Sequence, residues 1–122
     1  MSGERILADT NAIIRMFAGD RGVVDFLDGA DIYVSFITEI ELLATSKITA
    51  AQAKGIRAFL DECRIVGADP EMRKYAIEFR KRTNMKLPDA IIAATAAHLD
   101  LPLVTGDKHF ERLKDEIALF WL

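Results

Sequence analysis

Four acidic residues stand where the pattern of the chain leaves a strand or opens a helix. Asp9 follows the apolar run Arg5-Ile6-Leu7-Ala8, Glu41 lies in the first turns after residues 31–36, and Asp107 follows residues 101–105. Asp89 falls in the first turn of a helix that Pro88 suits. In open α/β sheets, ligands collect beyond the carboxyl ends of the strands. Three strand-end acids would converge there, and Asp89 joins them if its helix starts at the same edge. Each acid also has a purely local use. Asp9 and Asp107 suit helix N-caps, Thr38-Glu39-Ile40-Glu41 has the spacing of a capping box, and Asp89 complements a helix dipole.

Convergence at one edge favours chemistry over capping. Two carboxylates about 5 Å apart repel by roughly 3 kcal/mol at an effective dielectric near 20, so four need protons or a cation. A hard divalent ion is the natural neutraliser, and oxygen-only ligands select Mg²⁺, with Mn²⁺ as a substitute. Zinc is disfavoured, because His98 and His109 have no paired ligand spacing; both are expected to be surface or core residues. An ion held by carboxylates can lower the pKa of a bound water and act as a Lewis acid.

The elements that must position these acids follow from apolar spacing. Residues 5–8 read as a buried first strand and residues 11–18 as a helix closed by Gly19-Asp20. Val23, Phe26 and Leu27 mark a short helix stopped near Gly29. Residues 31–36, β-branched and aromatic, predict a second strand. Ile37, Ile40, Leu43 and Ala44 then switch to helical spacing. Another helix is expected over about 49–64, with Ile56, Phe59, Leu60 and Cys63 at i, i+3, i+4 and i+7, making Cys63 a core residue rather than a nucleophile. Residues 64–67 form a weak third strand. Pro70 opens a helix striped by Met72, Tyr75, Ala76 and Phe79, and residues 89 to about 100 form one that is apolar nearly all round. A fourth strand (101–105), a short helix (108–114) and a closing strand (117–121) complete the chain. Strands alternate with helices and read as continuous apolar runs, so the fold class is α/β. The expectation is one domain over residues 1–122, with a mostly parallel sheet of about five strands and helices on both faces.

Composition bounds the remaining choices. With 122 residues, half of them hydrophobic, the chain holds one core. The lone Cys63 fits a reducing compartment. The chain starts without a signal-peptide pattern, and its longest apolar run, residues 90–99, is too short to span a bilayer, so a cytoplasmic protein off the membrane is expected. A net charge of −3 argues against overall basicity as the grip on nucleic acid. A local grip exists: Arg73, Lys74, Arg80, Lys81, Arg82 and Lys86 gather six of the sixteen basic residues, although such a run also suits a solvated helix face. Lys74, Arg80, Lys81, Arg82 and Lys86 are the expected contacts if the chain holds a phosphate backbone.

Four segments together resemble one family. Ile6-Leu7-Ala8-Asp9-Thr10-Asn11, Thr38-Glu39-Ile40-Glu41-Leu42-Leu43, Leu87-Pro88-Asp89-Ala90-Ile91-Ile92-Ala93-Ala94-Thr95 and Leu103-Val104-Thr105-Gly106-Asp107-Lys108-His109-Phe110 are similar, in order, to the motifs of PIN-domain nucleases. VapC-type toxins of prokaryotic toxin–antitoxin pairs are the most similar in size and pattern. The resemblance implies that Asp9, Glu41, Asp89 and Asp107 bind metal and act in catalysis, with Thr10, Asn11 and Thr105 as polar support. It further implies an RNA substrate cut to 5′-phosphate and 3′-hydroxyl ends, a homodimer, and a cognate antitoxin that reaches the site. Gly106 departs from the pattern, since many relatives carry a larger, often basic residue there.

Two other classes compete. A phospho-acceptor receiver domain is also α/β with an acidic Mg²⁺ pocket, but it needs acids adjacent near the end of the first strand, and Asp9 stands alone after apolar residues. A catalytically silent interaction module would keep the fold and use apolar residues such as Leu119, Phe120, Trp121 and Leu122 as an interface.

Overall fold

The computed structural model describes residues 3–122; the two residues before Gly3 lie outside the description. Strands β1 (Arg5–Ala8), β2 (Asp31–Ser35), β3 (Arg64–Val66), β4 (Leu103–Thr105) and β5 (Leu119–Trp121) form one sheet in the order β3-β2-β1-β4-β5. Every pairing among them is parallel. Parallel neighbours cannot be joined by hairpins, so helical crossovers connect most of them. These are α1 (Thr10–Phe17), α2 (Arg21–Leu27), α3 (Phe36–Leu43), α4 (Ala50–Asp61), α5 (Pro70–Thr83) and α6 (Leu87–Leu99), with a 3-10 helix (Lys108–Leu113) before β5.

Period-2 alternation in the strands divides the core in two. Ile6 and Ala8 of β1, Val34 of β2 and Val104 of β4 pack with Ala12, Ile13, Val23 and Leu27 on one face. Leu7 and Leu103 point the other way, onto Met72, Phe79, Ile92, Ala93, Phe110 and Leu113. The sheet is thus covered on both faces, as its continuous apolar strands require. The strand order reverses at β1, whose two neighbours are β2 and β4. Between the carboxyl ends of β1 and β4 lies the topological switch point where open α/β sheets bind ligands. Asp9 and Asp107 follow those two strands within two residues.

Helix α6 is the buried helix its composition predicts. Ala90, Ala93 and Ala94 are fully buried, and the small side chains let α5 pack closely alongside. The α5–α6 connection is tight. Asn84 caps α5 at φ 58°, its N–H donating to the Arg80 carbonyl, and Asn tolerates that left-handed conformation better than most residues. Arg112 Nη1 donates to the Thr83 carbonyl at 2.9 Å, which ties this turn to the 3-10 helix.

Two local expectations are corrected. Helix α4 ends at Asp61, short of residue 64, because Arg64 pairs with Tyr33 in the sheet. Cys63 is therefore in the turn after the helix, half-buried, with Sγ donating to the Phe59 carbonyl. The capping box does not form at Thr38. Helix α3 starts earlier, with Ser35 as its N-cap, and Thr38 is fully buried within it. A capping box forms instead at α4, between Thr49 and Gln52.

Close packing of α6 makes a direct prediction. Ala93→Leu should lower stability by about 1–3 kcal/mol through overpacking, read as a lower urea midpoint at unchanged slope. An unchanged midpoint would contradict the packing described.

Candidate metal centre and its flanking grooves

Asp9 is placed by two elements at once. As N-cap of α1 its Oδ1 accepts from Ala12 N at 2.7 Å, while its Oδ2 accepts from the Thr105 hydroxyl at the end of β4. The carboxylate is only 3% exposed. Thr105 is fully buried, and its Oγ also accepts from Asp107 N at 2.9 Å. One hydroxyl therefore fixes both the acid after β1 and the backbone of the acid after β4. Asp107 caps the 3-10 helix, accepting from His109 N at 2.9 Å. The local N-cap reading is thus correct for Asp9 and Asp107, and capping is how the fold aims them.

Glu41 reaches the same edge from α3. Thr10 Oγ1 donates to Glu41 Oε1 at 2.7 Å and lies 3.0 Å from the buried Thr38 hydroxyl. Asp89 is half-buried in the first turn of α6. All four acids, with Thr10, Asn11, Ile14 and Ile92, line one cleft of about 290 Å³.

The acids perturb one another. Burial pushes the Asp9 carboxyl above the usual range; the Thr105 and Ala12 hydrogen bonds pull it back in part, and the charges of Asp107 and Asp89 push it up again. Burial also raises Asp89, followed by the charges of Asp107 and Glu41, with His109 and Lys86 opposing. This is the signature of carboxylates sharing one low-dielectric space. Among the described residues, no three acidic, His or Cys side chains are already drawn together as a finished chelate. The donor chemistry nonetheless suits a hard cation: four carboxylates line the cleft with hydroxyls in support, and the His109 ring stands beside it, Nδ1 3.0 Å from Asp107 Oδ1. Burial, then the charges of Glu62 and Asp31, pushes the Cys63 thiol to about 11, which disqualifies it as a nucleophile at neutral pH.

The basic residues fall in two places. Lys86 lines a second groove, of about 300 Å³, together with Asn84, Met85, His109 and Arg112; Asp89 and Asp107 line it too, so it continues the acidic cleft. Lys74, Lys81 and Arg82 instead line a separate hollow on α5 with Ile77 and Glu78. Lys74 pairs there with Glu71 at 3.2 Å, and Arg82 with Glu116 at 2.5 Å. Arg80 is exposed on α5 and lines neither. The expected patch is therefore divided, because residues 74, 77, 78 and 81 share a helix face whereas Lys86 sits in the turn beyond it. His109 and Arg112 were missed at this edge. Their signal was available, since both follow Asp107 within one short helix. His98, by contrast, lies away from the cleft, its Nε2 2.9 Å from Asp69 Oδ2.

At Gly106 the Arg15 guanidinium approaches so closely that a Cβ would lie 2.8 Å from its Nη1. A larger residue there would displace Arg15, which also binds Asp20. The Arg15 guanidinium of α1 thus occupies the space that a side chain at residue 106 would take.

An all-parallel sheet carrying a carboxylate-lined cleft at its switch point is an open α/β architecture with an acidic pocket where such sheets bind ligands. The PIN domain family model matches residues 6–116, and the chain belongs to that family. A chain of a toxin–antitoxin complex from Klebsiella pneumoniae is 30% identical, with a TM-score of 0.78, over 86% of this chain and 89% of that one. FitAcB from Neisseria gonorrhoeae is 25% identical, with a TM-score of 0.80, over 94% and 96%. VapBC2 from Rickettsia felis, bound to a promoter DNA fragment, is 20% identical with a TM-score of 0.83 over 95% and 97%, which speaks to the fold alone. No curated protein matches the sequence.

If the acids are held together against their mutual repulsion, neutralising one should relieve the metal-free protein. Asp89→Asn removes a charge that burial, Asp107 and Glu41 disfavour and leaves the Asp9 hydrogen bonds in place, so in EDTA at pH 7 its melting temperature should exceed wild type by roughly 3–5 °C, about 1 kcal/mol for a domain of this size. Wild type should gain more than the variant when Mn²⁺ is added. A variant that melts lower in EDTA would contradict the electrostatics described.

Proposed function

We propose that the chain is a divalent-metal-dependent endoribonuclease and the toxin of a type II toxin–antitoxin pair. The observation that carries the reading is the enclosure of Asp9, Glu41, Asp89 and Asp107 in one cleft at the switch point of a PIN domain. Those four residues would hold Mg²⁺, or Mn²⁺ in its place. When bound, the ion supplies Lewis-acid polarisation of a phosphodiester and of water. The chain's own residues do the rest. Thr105 holds Asp9 and the Asp107 backbone in fixed relation. Thr10 orients Glu41. A carboxylate at the open rim, Glu41 or Asp107, accepts the proton of the attacking water. Asn11, exposed at the cleft, supports the substrate side.

The antitoxin part of the reading rests on the toxin–antitoxin relatives and on a neighbouring surface. An apolar groove of about 610 Å³ is lined by Phe17, Leu42, Ile48 and Ile56, and also by Ile14 and Glu41, which border the acidic cleft. Ile14 is 49% and Phe17 47% exposed, and clustered apolar side chains on a surface mark an interaction site. A partner segment laid in this groove would end beside the acids, where a cationic side chain would block them. A homodimer belongs to the same reading, with the exposed Tyr75 and Ile77 of α5 as available apolar surface. Among the described residues no helix is long and apolar enough to cross a membrane.

Purified, partner-free protein should cleave single-stranded RNA with Mg²⁺ or Mn²⁺ and stop in EDTA. Asp9→Asn should lose at least about 100-fold, and Thr105→Val, which removes a support rather than a ligand, about 10–100-fold. Equal cleavage by wild type and Asp9→Asn preparations would assign the activity to a contaminant. A wild type inert towards RNA would favour the silent interaction module.

A further inference from the structure

We propose that the groove bearing Lys86 and Arg112, with His109 at its wall held 3.0 Å from Asp107, is a track for single-stranded RNA, gripping the phosphate next to the scissile one. The proposal rests on the nuclease reading and assigns the direction in which the strand leaves the acidic cleft. A polyanion approaching four carboxylates on a chain of net charge −3 needs local attraction. The groove supplies it where the cleft ends, since Asp89 and Asp107 line both spaces.

Its side chains suit a phosphate. Lys86 is exposed and, although it is the N-cap residue of α6, its side chain makes no capping bond. Arg112 spends one hydrogen bond on the Thr83 carbonyl, and a guanidinium carries five donors in a fork that fits phosphate. That same bond fixes the Arg112 side chain in place, so less freedom is lost on binding. Asn84 adds an amide at the rim, and the buried Met85 also lines the groove. At about 300 Å³ the groove has room for about one nucleotide. The hollow on α5 is a poorer track, because Lys74 and Arg82 are engaged by Glu71 and Glu116 and none of its residues lines the acidic cleft.

The test uses a fluorescent 12-nucleotide oligouridylate, with Ca²⁺ replacing Mg²⁺ to hold the site neutral during binding. Anisotropy is measured between 50 and 200 mM salt. Lys86→Gln and Arg112→Gln should each weaken binding by about 3–10-fold and lower the log–log salt slope by about 0.7, the value for one phosphate contact on a single strand. In Mg²⁺ each should raise KM by a similar factor while kcat stays within about two-fold, as expected for contacts remote from the reacting atoms. Arg112→Lys keeps the charge and should keep the slope. Lys86→Gln, at an exposed turn position, reads the groove without touching the Thr83 contact. Slopes and KM equal to wild type in both Gln variants, or an equal loss in Arg57→Gln on α4, would overturn the track. A wild type that binds with the expected slope yet cleaves nothing would overturn the nuclease reading and leave the track standing.

Discussion

The structure turns on a buried carboxylate. Asp9 has almost no access to water, yet it sits at the one place in the sheet where two strands with opposite crossover directions part. A charge there is costly unless hydrogen-bonded or neutralised. The fold provides two donors, the Ala12 amide and the Thr105 hydroxyl, and both come from elements that must already be in register. Placing Asp9 thus requires the β1–β4 pairing, and that pairing also sets Asp107 beside it. The remaining acids arrive on helices α3 and α6, whose apolar faces fix their starting points. What the two donors leave uncompensated is the charge of the neighbouring acids, and a hard cation is suited to balance it.

Three surfaces meet at this point. The acidic cleft shares Ile14 and Glu41 with the apolar groove on one side, and Asp89 and Asp107 with the cationic groove on the other. A strand of nucleic acid and a protein segment would therefore approach the same carboxylates from different directions. On the proposed reading, a partner filling the apolar groove would need to extend only a short way to compete for the acids.

Much of this was legible in the sequence, for identifiable reasons. Continuous apolar strands and an all-round apolar α6 can satisfy their burial only in a three-layer parallel sheet, and the strand-end acids then share an edge. Pro88 marked the start of α6, and with it the position of Asp89. The failures are equally specific. Helical periodicity through Cys63 could not reveal that Arg64 is claimed by sheet pairing with Tyr33. The capping-box spacing at Thr38 was coincidental, since Ser35 caps α3 one turn earlier. The basic run looked like one patch because linear density ignores helix phase. Its members on α5 face a different hollow from Lys86. His109 and Arg112 enter the site through the 3-10 turn that Asp107 caps, so their only signal was closeness in sequence to that acid, not periodicity.

The central claim is that these four carboxylates bind one or more hard divalent ions in their shared cleft. Paramagnetic line broadening by substoichiometric Mn²⁺ in ¹H–¹⁵N spectra tests it most directly. The account predicts selective loss of amide signals at residues 8–12, 40–42, 87–90 and 105–109, reversed by excess Mg²⁺. Broadening spread over exposed acids such as Glu71 and Glu111, or none at millimolar Mn²⁺, would contradict it.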